Sequence, residues 1–418
     1  MKNRSVLIVR PEGFWSSLLG ATSRIMDIAH GLRSNGFDLR LLAARKSSVN
    51  EDIEQEASFP GDVIRTPFFG AYPYPIDQNE KMRRMCRLLW RLGGYSSYIK
   101  KMEFGWSSLL EAWVANNRGM CRPDIIWAIS TGTYGGLVGG RCLARLYSCP
   151  LLLEIHDPLI KYKTQELKRY FSQIEDSCIS ESAAVITTTE SLATYLKNKT
   201  PGVASKINFI HSTFDGSLPL VQNINSSEEL ILLHAGALEG GKGRNARSLV
   251  EGLAMASQVE PLSRGKIKLR LLGGGAGGQE VLLLAKKLSI TDLVEVLPRC
   301  AIEEAYQQMD LADILVVIKY DDPEFDMQIP GKLFQYLGRG KPILGIMRKT
   351  EASEILLRSG IGITVNSDSK EISNTLIDLW RMRKCLKESY VPDWDYINNF
   401  SNNKLAHKLA KITDKILL

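Results

Sequence analysis

The chain contains no run of about 20 uncharged apolar residues, the length that a membrane-spanning helix needs. Its seven cysteines are scattered, and no two of them form a Cys-x-x-Cys pair. An odd and unpatterned set of this kind predicts reduced thiols in the cytosol rather than disulfides or a zinc site. The first apolar stretch is too short for a signal peptide and is interrupted by Arg10. We therefore expect a cytoplasmic protein without a transmembrane helix.

The sequence also lacks the short motifs that hold metals, nucleoside triphosphates or nucleic acids. No group of acidic, histidine or cysteine residues has the spacing of a metal site. The Walker A pattern G-x-x-x-x-G-K-[ST] is absent, and no helix-turn-helix, zinc or RNP pattern is present. We expect no metal, no bound cofactor and no nucleic-acid partner.

What the chain does have is length and a basic first half. Its 418 residues are too many for one ordinary core and suit two domains of about 200 residues each. Residues 1–225 hold 27 Lys and Arg against 21 Asp and Glu, a net charge of +6, whereas the whole chain carries +7. This excess favours an anionic partner for the first half, such as a membrane surface or a phosphorylated lipid.

The order of apolar runs predicts two doubly wound α/β domains. A strand at 5–10, a helix at 21–34 and a strand at 38–43 form a βαβ opening, and a strand at 230–234 starts the same pattern again. The polar segment 216–227 is the predicted linker.

The predicted domain boundaries follow from that linker. We expect an N-terminal, acceptor-binding domain at 1–220 and a C-terminal, nucleotide-binding domain at 228–395. A last helix is expected at 396–418.

A glycine-rich, cationic loop follows the strand at 230–234. Its sequence is HAGALEGGKGRNARSL, and its glycines lack a Cβ, which lets backbone N–H groups approach a phosphate closely. Lys242, Arg244 and Arg247 add positive charge, and arginine can pair a phosphate through two hydrogen bonds. The loop is therefore predicted to bind phosphate.

The stretch IPGKLFQYLGRGKPILGI, residues 329–346, predicts a loop, a helix, a turn and a buried strand. Pro330 and Gly331 open the helix, and Gly338, Gly340 and Pro342 end it. The start of a helix after such a loop is suited to an anion. The alternative interpretation is an ordinary helix–strand corner of an α/β domain.

A polar cluster of Glu154, His156 and Asp157 ends the strand in PLLLEIHDP. Polar side chains at the carboxyl end of a parallel strand occupy the usual ligand position of open α/β sheets. A histidine there can carry a proton or donate a hydrogen bond to an oxyanion near neutral pH. The alternative is a His156 that is only hydrogen-bonded within the fold.

The run GGGAGG at 273–278 contains G-x-G-x-x-G, the pattern of a nicotinamide-binding loop. That motif belongs to the first βαβ unit of a domain, whereas here another strand, glycine-rich loop and helix precede it. We therefore disfavour a nicotinamide site. The segment is predicted to be a loop between a strand at 266–272 and a helix at 279–289.

Residues 81–106 alternate Lys and Arg with Met, Leu, Phe and Trp. A basic helix with tryptophan on its apolar face is typical of contact with a membrane surface. The alternative is the solvated face of an ordinary helix. We favour a peripheral contact with the inner face of the membrane.

Several of these stretches resemble family 4 glycosyltransferases, retaining enzymes of the GT-B fold. Their donor-binding helix reads approximately P-x-K-x-x-E-Y-x-x-x-G-K-P. This chain matches that pattern at Pro330, Lys332, Tyr336, Gly340, Lys341 and Pro342. Two glutamates of the family are replaced, by Gln335 and Met327. The resemblance implies two Rossmann-like domains that face each other across a cleft, with the helix at 396–418 crossing back to the first domain.

The resemblance also implies roles for individual residues. The cationic loop is similar to the diphosphate-binding G-x-x-x-x-x-K-G of the family at Gly236, Lys242 and Gly243, and Ala237 stands where the family has an arginine that Arg244 would replace. The implied catalytic residues are His156, Lys242 and Arg244. The implied donor-binding residues are Gly20, Gly236, Gly273, Gly275, Arg299, Gly331, Lys332 and Gln335.

The expected function is transfer of a sugar, with retention of configuration, from a nucleotide-diphosphate sugar to a glycan or polyprenyl-linked acceptor in surface polysaccharide assembly. One alternative is a sugar-nucleotide 2-epimerase, which shares the fold. Another is a non-catalytic relative, a nucleotide-sugar sensor or partner subunit, which Gln335 and Met327 suggest. The sequence does not define the sugar, the base, the acceptor or the oligomeric state.

Overall fold

A computed structural model describes most of the chain. The described residues are 4–13, 19–44, 56–66, 96, 100, 104, 106–117, 122–131, 134–157, 164–214, 229–239, 244–259 and 266–417. The predicted membrane contact at 81–106 lies outside them apart from residues 96, 100, 104 and 106. The predicted linker at 216–227 and the phosphate-loop residue Lys242 also lie outside the described residues.

The chain divides into two compact units. The first unit contains Met1–Ser212 and Asn402–Leu418, and the second contains Thr213–Ser401. Each unit is built on one parallel β-sheet flanked by helices. Parallel sheets are buried on both faces, which explains why their strands read as continuous apolar runs.

The first unit contains a parallel sheet of seven described strands in the order β3-β2-β1-β4-β5-β6-β7. The strands are β1 Arg4–Val9, β2 Phe37–Ala43, β3 Asp62–Arg65, β4 Ile125–Ser130, β5 Leu151–Ile155, β6 Ala184–Thr187 and β7 Ile207–Phe209. The helices are α1 Leu19–Ser34, α2 Ser107–Asn116, α3 Gly135–Tyr147, α4 Gln165–Glu181 and α5 Glu190–Lys199. A 3₁₀ turn, Pro201–Lys206, precedes β7.

The second unit contains a parallel sheet of six described strands in the order β10-β9-β8-β11-β12-β13. The strands are β8 Leu230–Ala235, β9 Ile267–Leu272, β10 Val294–Leu297, β11 Ile314–Ile318, β12 Ile343–Ile346 and β13 Gly362–Val365. The helices are α6 Arg247–Val259, α7 Gly275–Lys287, α8 Ile302–Leu311, α9 Gly331–Leu337, α10 Glu351–Arg358, α11 Ser369–Arg381, α12 Leu386–Ser389 and α13 Trp394–Ile397. Short 3₁₀ turns occur at Pro323–Phe325, Arg383–Cys385 and Asn398–Phe400.

Both strand orders reverse direction beside the first strand of the unit, as in Rossmann-like sheets. The prediction of two doubly wound α/β sheets is therefore confirmed. Buried apolar residues of each sheet pack against the helices that flank it. In the second unit, for example, Leu232 and Val316 from the sheet pack with Leu253 of α6 and Leu376 of α11.

The chain returns to the first unit through a final described helix, α14 Asn402–Leu417. This helix packs on α1, and Leu405 and Leu409 join the core that contains Ile25 and Leu32. The two helices approach closely, because a Cβ at Gly31 would lie 2.1 Å from the Cβ of Ala406.

Two predictions about local structure are wrong. The segment 273–278 is not a loop throughout, since α7 begins at Gly275. A Cβ at Gly277 would lie 2.7 Å from the Cβ of Leu238, so this glycine permits close packing of the helix. The sequence of residues 370–389 predicts one basic helix, but α11 ends at Arg381 and is followed by a 3₁₀ turn and α12. The guanidinium of Arg383 lies over the ring of Trp380 at 3.5 Å.

Candidate functional site

In the second unit, β8 lies between β9 and β11, and the chain connections leave it in opposite directions. Where the strand order reverses in this way, the loops that follow the neighbouring strands diverge at the carboxyl edge of the sheet. Open α/β sheets bind ligands in the crevice between such loops. The loop after β8 begins at Gly236, and the loop after β11 begins at Lys319. This edge is the candidate site.

The loops after β8, β9 and β10 meet there through their backbones. Gly236 and Gly273 have φ of +115° and +73°, a conformation that glycine adopts without the strain of a side chain. A Cβ at Gly273 would lie 4.0 Å from the Cα of Gly236 and 3.9 Å from the Cα of Arg299. Gly275, with φ of +58°, lies against the loop after β8, because its Cβ would be 3.6 Å from the carbonyl oxygen of Leu238. Four of the predicted donor-binding residues are therefore neighbours.

Lys332 extends from α9 into the same place. Its Nζ lies 3.1 Å from Nε2 of His234 in β8, and a Cβ at Gly236 would lie only 2.7 Å from that Nζ. The next residue along the strand is held from the same helix, since the N–H of Ala235 donates to the hydroxyl of Tyr336 at 2.8 Å. Lys332 is thus fixed over the backbone of the loop that follows β8.

The amine of Lys332 is buried and has a positively charged neighbour. Burial, and after it the positive charge of Arg244, lower the pKa of Lys332 to about 7. No carboxylate of the described residues is among the causes of this shift. A half-buried amine with a cationic neighbour and no carboxylate to offset it favours an anionic ligand.

Arg244 stands at the end of the undescribed part of the cationic loop. Its Nη2 donates to the carbonyl oxygen of Ala237 at 3.1 Å, and its own carbonyl oxygen accepts from the N–H of Glu239 at 2.8 Å. The guanidinium carbon lies 5.8 Å from the ring centre of Tyr320. The hydroxyl of Tyr320 donates to Glu239, which connects the loop after β11 to the loop after β8. Arg244 and Lys332 therefore belong to one positively charged site.

The remaining candidates of α9 lie beside this cluster. A side chain at Gly331 would meet no described atom within 4 Å, so there is open space at the start of the helix. Gln335, one turn further on, is half-buried, and its amide makes no hydrogen bond to a described residue. Met327 is half-buried in the loop before the helix, beside Asp326, whose carbonyl oxygen accepts from the buried Lys319.

The first unit contains a buried ionic cluster at the end of β5. The Nε of Arg24 and the Nε2 of His156 both lie on one oxygen of Glu154, at 2.6 Å and 2.7 Å. Burial raises the pKa of Glu154, but the charge of Arg24 and the hydrogen bond from His156 outweigh it and hold the pKa at about 2. Arg24 also donates to the carbonyl oxygen of His211 at 2.6 Å.

This cluster defines which ring nitrogen of His156 carries a hydrogen. An ionised carboxylate only accepts hydrogen bonds, so Nε2 of His156 must carry the hydrogen. The ring is 8% exposed, and its Nδ1 makes no hydrogen bond to a described residue. In the neutral imidazole this nitrogen is an acceptor that can face a ligand. Gly20 lies in α1 one turn before Arg24, near the same end of the sheet.

Two features of these sites were not predicted from the sequence. The sequence predicts only a strand around His234, although a histidine within LILLHA interrupts an otherwise apolar run. The sequence predicts only a helix around Arg24, and no local signal separates this residue from an exposed arginine. Its partner Glu154 belongs to the predicted polar cluster, but the two residues are 130 positions apart in sequence.

Among the described residues, no helix is long and apolar enough to cross a membrane. The described part of the chain also contains no group of three or more His, Cys, Asp or Glu arranged to hold a metal ion.

Comparison with solved structures identifies the architecture. A glycosyltransferase from Rickettsia africae superposes with a TM-score of 0.68 at 13% identity, covering 100% of this chain and 99% of that one. Anabaena HepE in complex with UDP and glucose gives a TM-score of 0.67 at 16% identity, covering 99% and 100%. Sucrose-phosphate synthase from Thermosynechococcus elongatus gives 0.65 at 14% identity, covering 99% of each chain. At these identities the likeness defines the fold, and the fold is GT-B.

Comparison of sequences points to the family. Residues 20–212, just under half of the chain, match the family model described as a glycosyl transferase 4-like domain. No curated protein matches the chain. The matched domain and the shared fold together support the resemblance to family 4 glycosyltransferases.

Proposed function

We propose that this protein is a glycosyltransferase that takes a sugar from a nucleotide-diphosphate sugar bound to the second unit. The observation that carries the proposal is the positively charged cluster at the carboxyl edge of the second sheet. There Lys332 lies over Gly236, Arg244 lies beside it, and no carboxylate of the described residues is among the causes that shift the pKa of Lys332. A diphosphate has the charge and the size to occupy such a position. The glycosyl transferase 4-like domain and the GT-B fold support the same conclusion.

The proposed chemistry is stabilisation of the leaving group. When the bond between the anomeric carbon and the diphosphate oxygen breaks, negative charge develops on the diphosphate. Fixed cations that contact this oxygen stabilise the transition state more than the ground state. We assign this role to Lys332, Arg244 and Lys242. Gln335 is assigned to a ribose hydroxyl. A neutral amide can donate a hydrogen bond to such a hydroxyl through its N–H groups or accept one through its oxygen.

The finer parts of the proposal concern the acceptor and the stereochemistry. Retention of configuration is proposed because the family that this chain resembles retains it. The acceptor is proposed to be a lipid-linked glycan in surface polysaccharide assembly, since the first half of the chain carries a net charge of +6. His156, whose Nδ1 is not used within the described structure, is assigned to the sugar or the acceptor. The segment 81–106 is proposed to contact the cytoplasmic face of a membrane.

One observation favours a second candidate. Gln335 and Met327 stand where family members carry glutamate, so neither position supplies a carboxylate to the donor site. A protein that binds a nucleotide sugar without transferring it, as a sensor or a partner subunit, is consistent with this change. A sugar-nucleotide 2-epimerase would instead return an altered nucleotide sugar.

The first test is a thermal-shift panel of UDP-, GDP-, dTDP- and ADP-sugars. A ligand that binds only the folded state raises the unfolding midpoint by mass action. We expect one nucleotide class to raise it in the wild type, and Lys242→Ala to lose the shift. Lys286→Ala, which removes an exposed lysine of α7, is the matched control and keeps the shift. A Lys242→Ala protein with an unchanged shift would remove Lys242 from the site.

The second test separates the candidate functions. The nucleotide sugar that binds is incubated with the protein and a lipid-linked acceptor extract, and the products are resolved by chromatography. Release of nucleoside diphosphate with sugar in the lipid fraction supports the transferase. An isomerised nucleotide sugar supports the epimerase, and unchanged nucleotide sugar despite binding supports the non-catalytic protein.

A further inference from the structure

The site contains a histidine whose position no motif explains. His234 is the fifth residue of β8, and its side chain is completely buried between β9 and β11. Its Nδ1 lies 2.9 Å from the carbonyl oxygen of Val316 in β11. A carbonyl oxygen only accepts, so Nδ1 must carry the hydrogen. The neutral ring then has a lone pair on Nε2.

That lone pair is directed at one group. The Nζ of Lys332 lies 3.1 Å from Nε2 and is the donor of this hydrogen bond. A second proton on the ring would place two hydrogen-bond donors, both charged, against each other. Burial, and then the charge of Lys332, lower the pKa of His234 well below its ordinary value, although the hydrogen bond to Val316 acts in the opposite direction. His234 is therefore a fixed acceptor for Lys332.

The hydrogen bond determines where the amine sits. A lysine side chain has four rotatable bonds and, when free, samples many positions of its Nζ. Here the ring nitrogen holds Nζ over Gly236, so close that any Cβ at that residue would be 2.7 Å away. The backbone of Gly236 is in turn fixed by the bond from its N–H to the carbonyl oxygen of Leu272, at 2.8 Å. The amine, the strand and the loop form one rigid arrangement.

We propose that His234 is a positioning residue for donor binding, which holds the amine of Lys332 in place to contact the diphosphate of a nucleotide sugar. This inference rests on the proposed function. The hydrogen bond uses the lone pair of the ring and leaves the other hydrogens of the amine for phosphate oxygens. A carboxylate at the position of His234 would also hold the amine, but it would neutralise the charge that attracts the ligand. A neutral ring fixes the amine without adding a counter-charge, so that an anionic ligand is the group that favours the charged form of the amine.

The test is a double-mutant cycle measured by titration calorimetry with UDP, GDP, dTDP and ADP as probes. His234→Asn retains an N–H near the position of Nδ1, for Val316, and removes the acceptor for Lys332. We expect it to weaken the nucleotide that binds best to the wild type by about tenfold, and Lys332→Ala to weaken it at least as much. In the Lys332→Ala background, His234→Asn is expected to change the affinity less than twofold, because coupled residues are not additive.

Two further variants complete the design. His234→Gln, whose side-chain oxygen can reach the position of Nε2, is expected to recover most of the affinity that His234→Asn loses. Lys341→Ala is the matched control for Lys332. Lys341 lies past the other end of α9, and its amine donates to the carbonyl oxygens of Asp310 and Ala312 instead of facing the site. We expect the Lys341→Ala protein to bind nucleotide with the affinity of the wild type.

The outcomes separate the inference from the function on which it rests. If the wild type binds none of the four nucleotides, the proposed function is wrong and this inference is wrong with it. If the wild type binds but His234→Asn binds equally well, or weakens binding by the same factor in both backgrounds, only the inference is wrong.

A spectroscopic measurement covers the case in which His234→Asn fails to fold. The chain has five histidines, so imidazole nitrogen signals of the labelled wild type are few enough to assign. We expect His234 to show a protonated Nδ1 and a bare Nε2, and the Nε2 signal to shift in Lys332→Ala. A protonated Nε2 would overturn the inference.

Discussion

Both units bury charged residues at the carboxyl edges of their sheets, but they balance them differently. In the first unit Glu154 is completely buried, and Arg24 and His156 hydrogen-bond to it. In the second unit Lys332 has a ring nitrogen as its partner and another cation nearby. The first arrangement balances its charges within the protein, and its hydrogen bond fixes which ring nitrogen of His156 carries the hydrogen. The second has no carboxylate of the described residues beside the amine of Lys332, which fits the anionic ligand that we propose.

The ion pair of Glu154 makes a prediction about stability. Glu154→Gln leaves Arg24 buried without a counter-charge, and breaking a buried pair in this way costs about 3–5 kcal/mol. The pKa of Glu154 in the folded protein, about 2, is below the ordinary value of 4.5. The pair therefore stabilises the fold fully above pH about 4.5, and the stabilisation is lost as the pH falls towards 2.

The measurement is the free energy of unfolding of wild type and variant from pH 7 down to pH 3. The gap between them is expected to be largest at neutral pH and to narrow below pH about 4.5. Glu181→Gln is the control, because Glu181 pairs with Arg145 at the surface and a surface pair contributes about 1 kcal/mol or less. A gap that stays constant with pH would show that the pKa of Glu154 is the same in the folded and unfolded protein, and a gap that widens as the pH falls would show that Glu154 is protonated in the folded protein.

For single residues, the sequence predicts the place of a side chain only where that place follows from its position in a strand. His156 follows an apolar strand that ends in polar residues, so its place at the edge of the sheet can be inferred. Arg24 cannot be inferred, because its partner belongs to another element and the periodicity of α1 only shows which face is apolar. The role of His234 cannot be inferred for the same reason, since its hydrogen-bond partners belong to β11 and α9.

Among the elements, glycine-rich segments serve two purposes that composition does not separate. Gly236 and Gly273 have positive φ and bring the loops after β8 and β9 together at the candidate site. Gly277 and Gly278 lie inside α7 and let this helix approach Leu238 and Val296. The pattern GGGAGG predicts a loop because both kinds of glycine occur in one run. Only the three-dimensional neighbours of each residue distinguish them.

Gly236→Ala tests the loop after β8. A Cβ there combines the strain of a positive φ with a clash against the Nζ of Lys332 at 2.7 Å. Gly36→Ala is the matched control, because Gly36 has a φ of +82° but a Cβ there would meet no described atom within 4 Å. We expect both variants to lose about 1–2 kcal/mol of stability from backbone strain.

The two variants are expected to differ in ligand binding. Gly236→Ala displaces the amine of Lys332, so its affinity for the nucleotide that binds the wild type should fall by about tenfold, as calorimetry would show. Gly36→Ala should bind as the wild type does. Equal affinities in the two variants would mean that the position of the Lys332 amine does not matter for the ligand.

For the whole molecule, two repeats of the βαβ pattern were enough to predict two parallel sheets. Continuous apolar strands alternate with amphipathic helices in both halves, and short connections restrict the strand orders that such a chain can adopt. The exact bounds of the two units cannot be predicted from this pattern. They depend on which surface the last helix covers, and α14 Asn402–Leu417 joins the first unit through contacts with α1, nearly 400 residues away in sequence.

Leu409→Ala tests the contribution of α14 to the first unit. Leu409 is 1% exposed and packs in the core that contains Ile25, so its truncation is expected to lower the free energy of unfolding by about 2–5 kcal/mol. Lys408→Ala, one residue earlier and exposed, should change it by less than about 0.5 kcal/mol. Denaturant titration measures both. Similar stability of the two variants would show that α14 contributes little to the first unit.

The return of the chain to the first unit has a consequence for synthesis in the cell. Residues up to Ser212 leave the ribosome about 190 residues before α14 does. At about 5–20 residues per second, this interval lasts roughly 10–40 s. During this time the apolar face of α1 that Leu405 and Leu409 later cover is exposed in the nascent chain. The second unit, which is continuous in sequence, can therefore complete its fold before the first. Until α14 is synthesised, the incomplete first unit exposes an apolar surface to which a chaperone could bind.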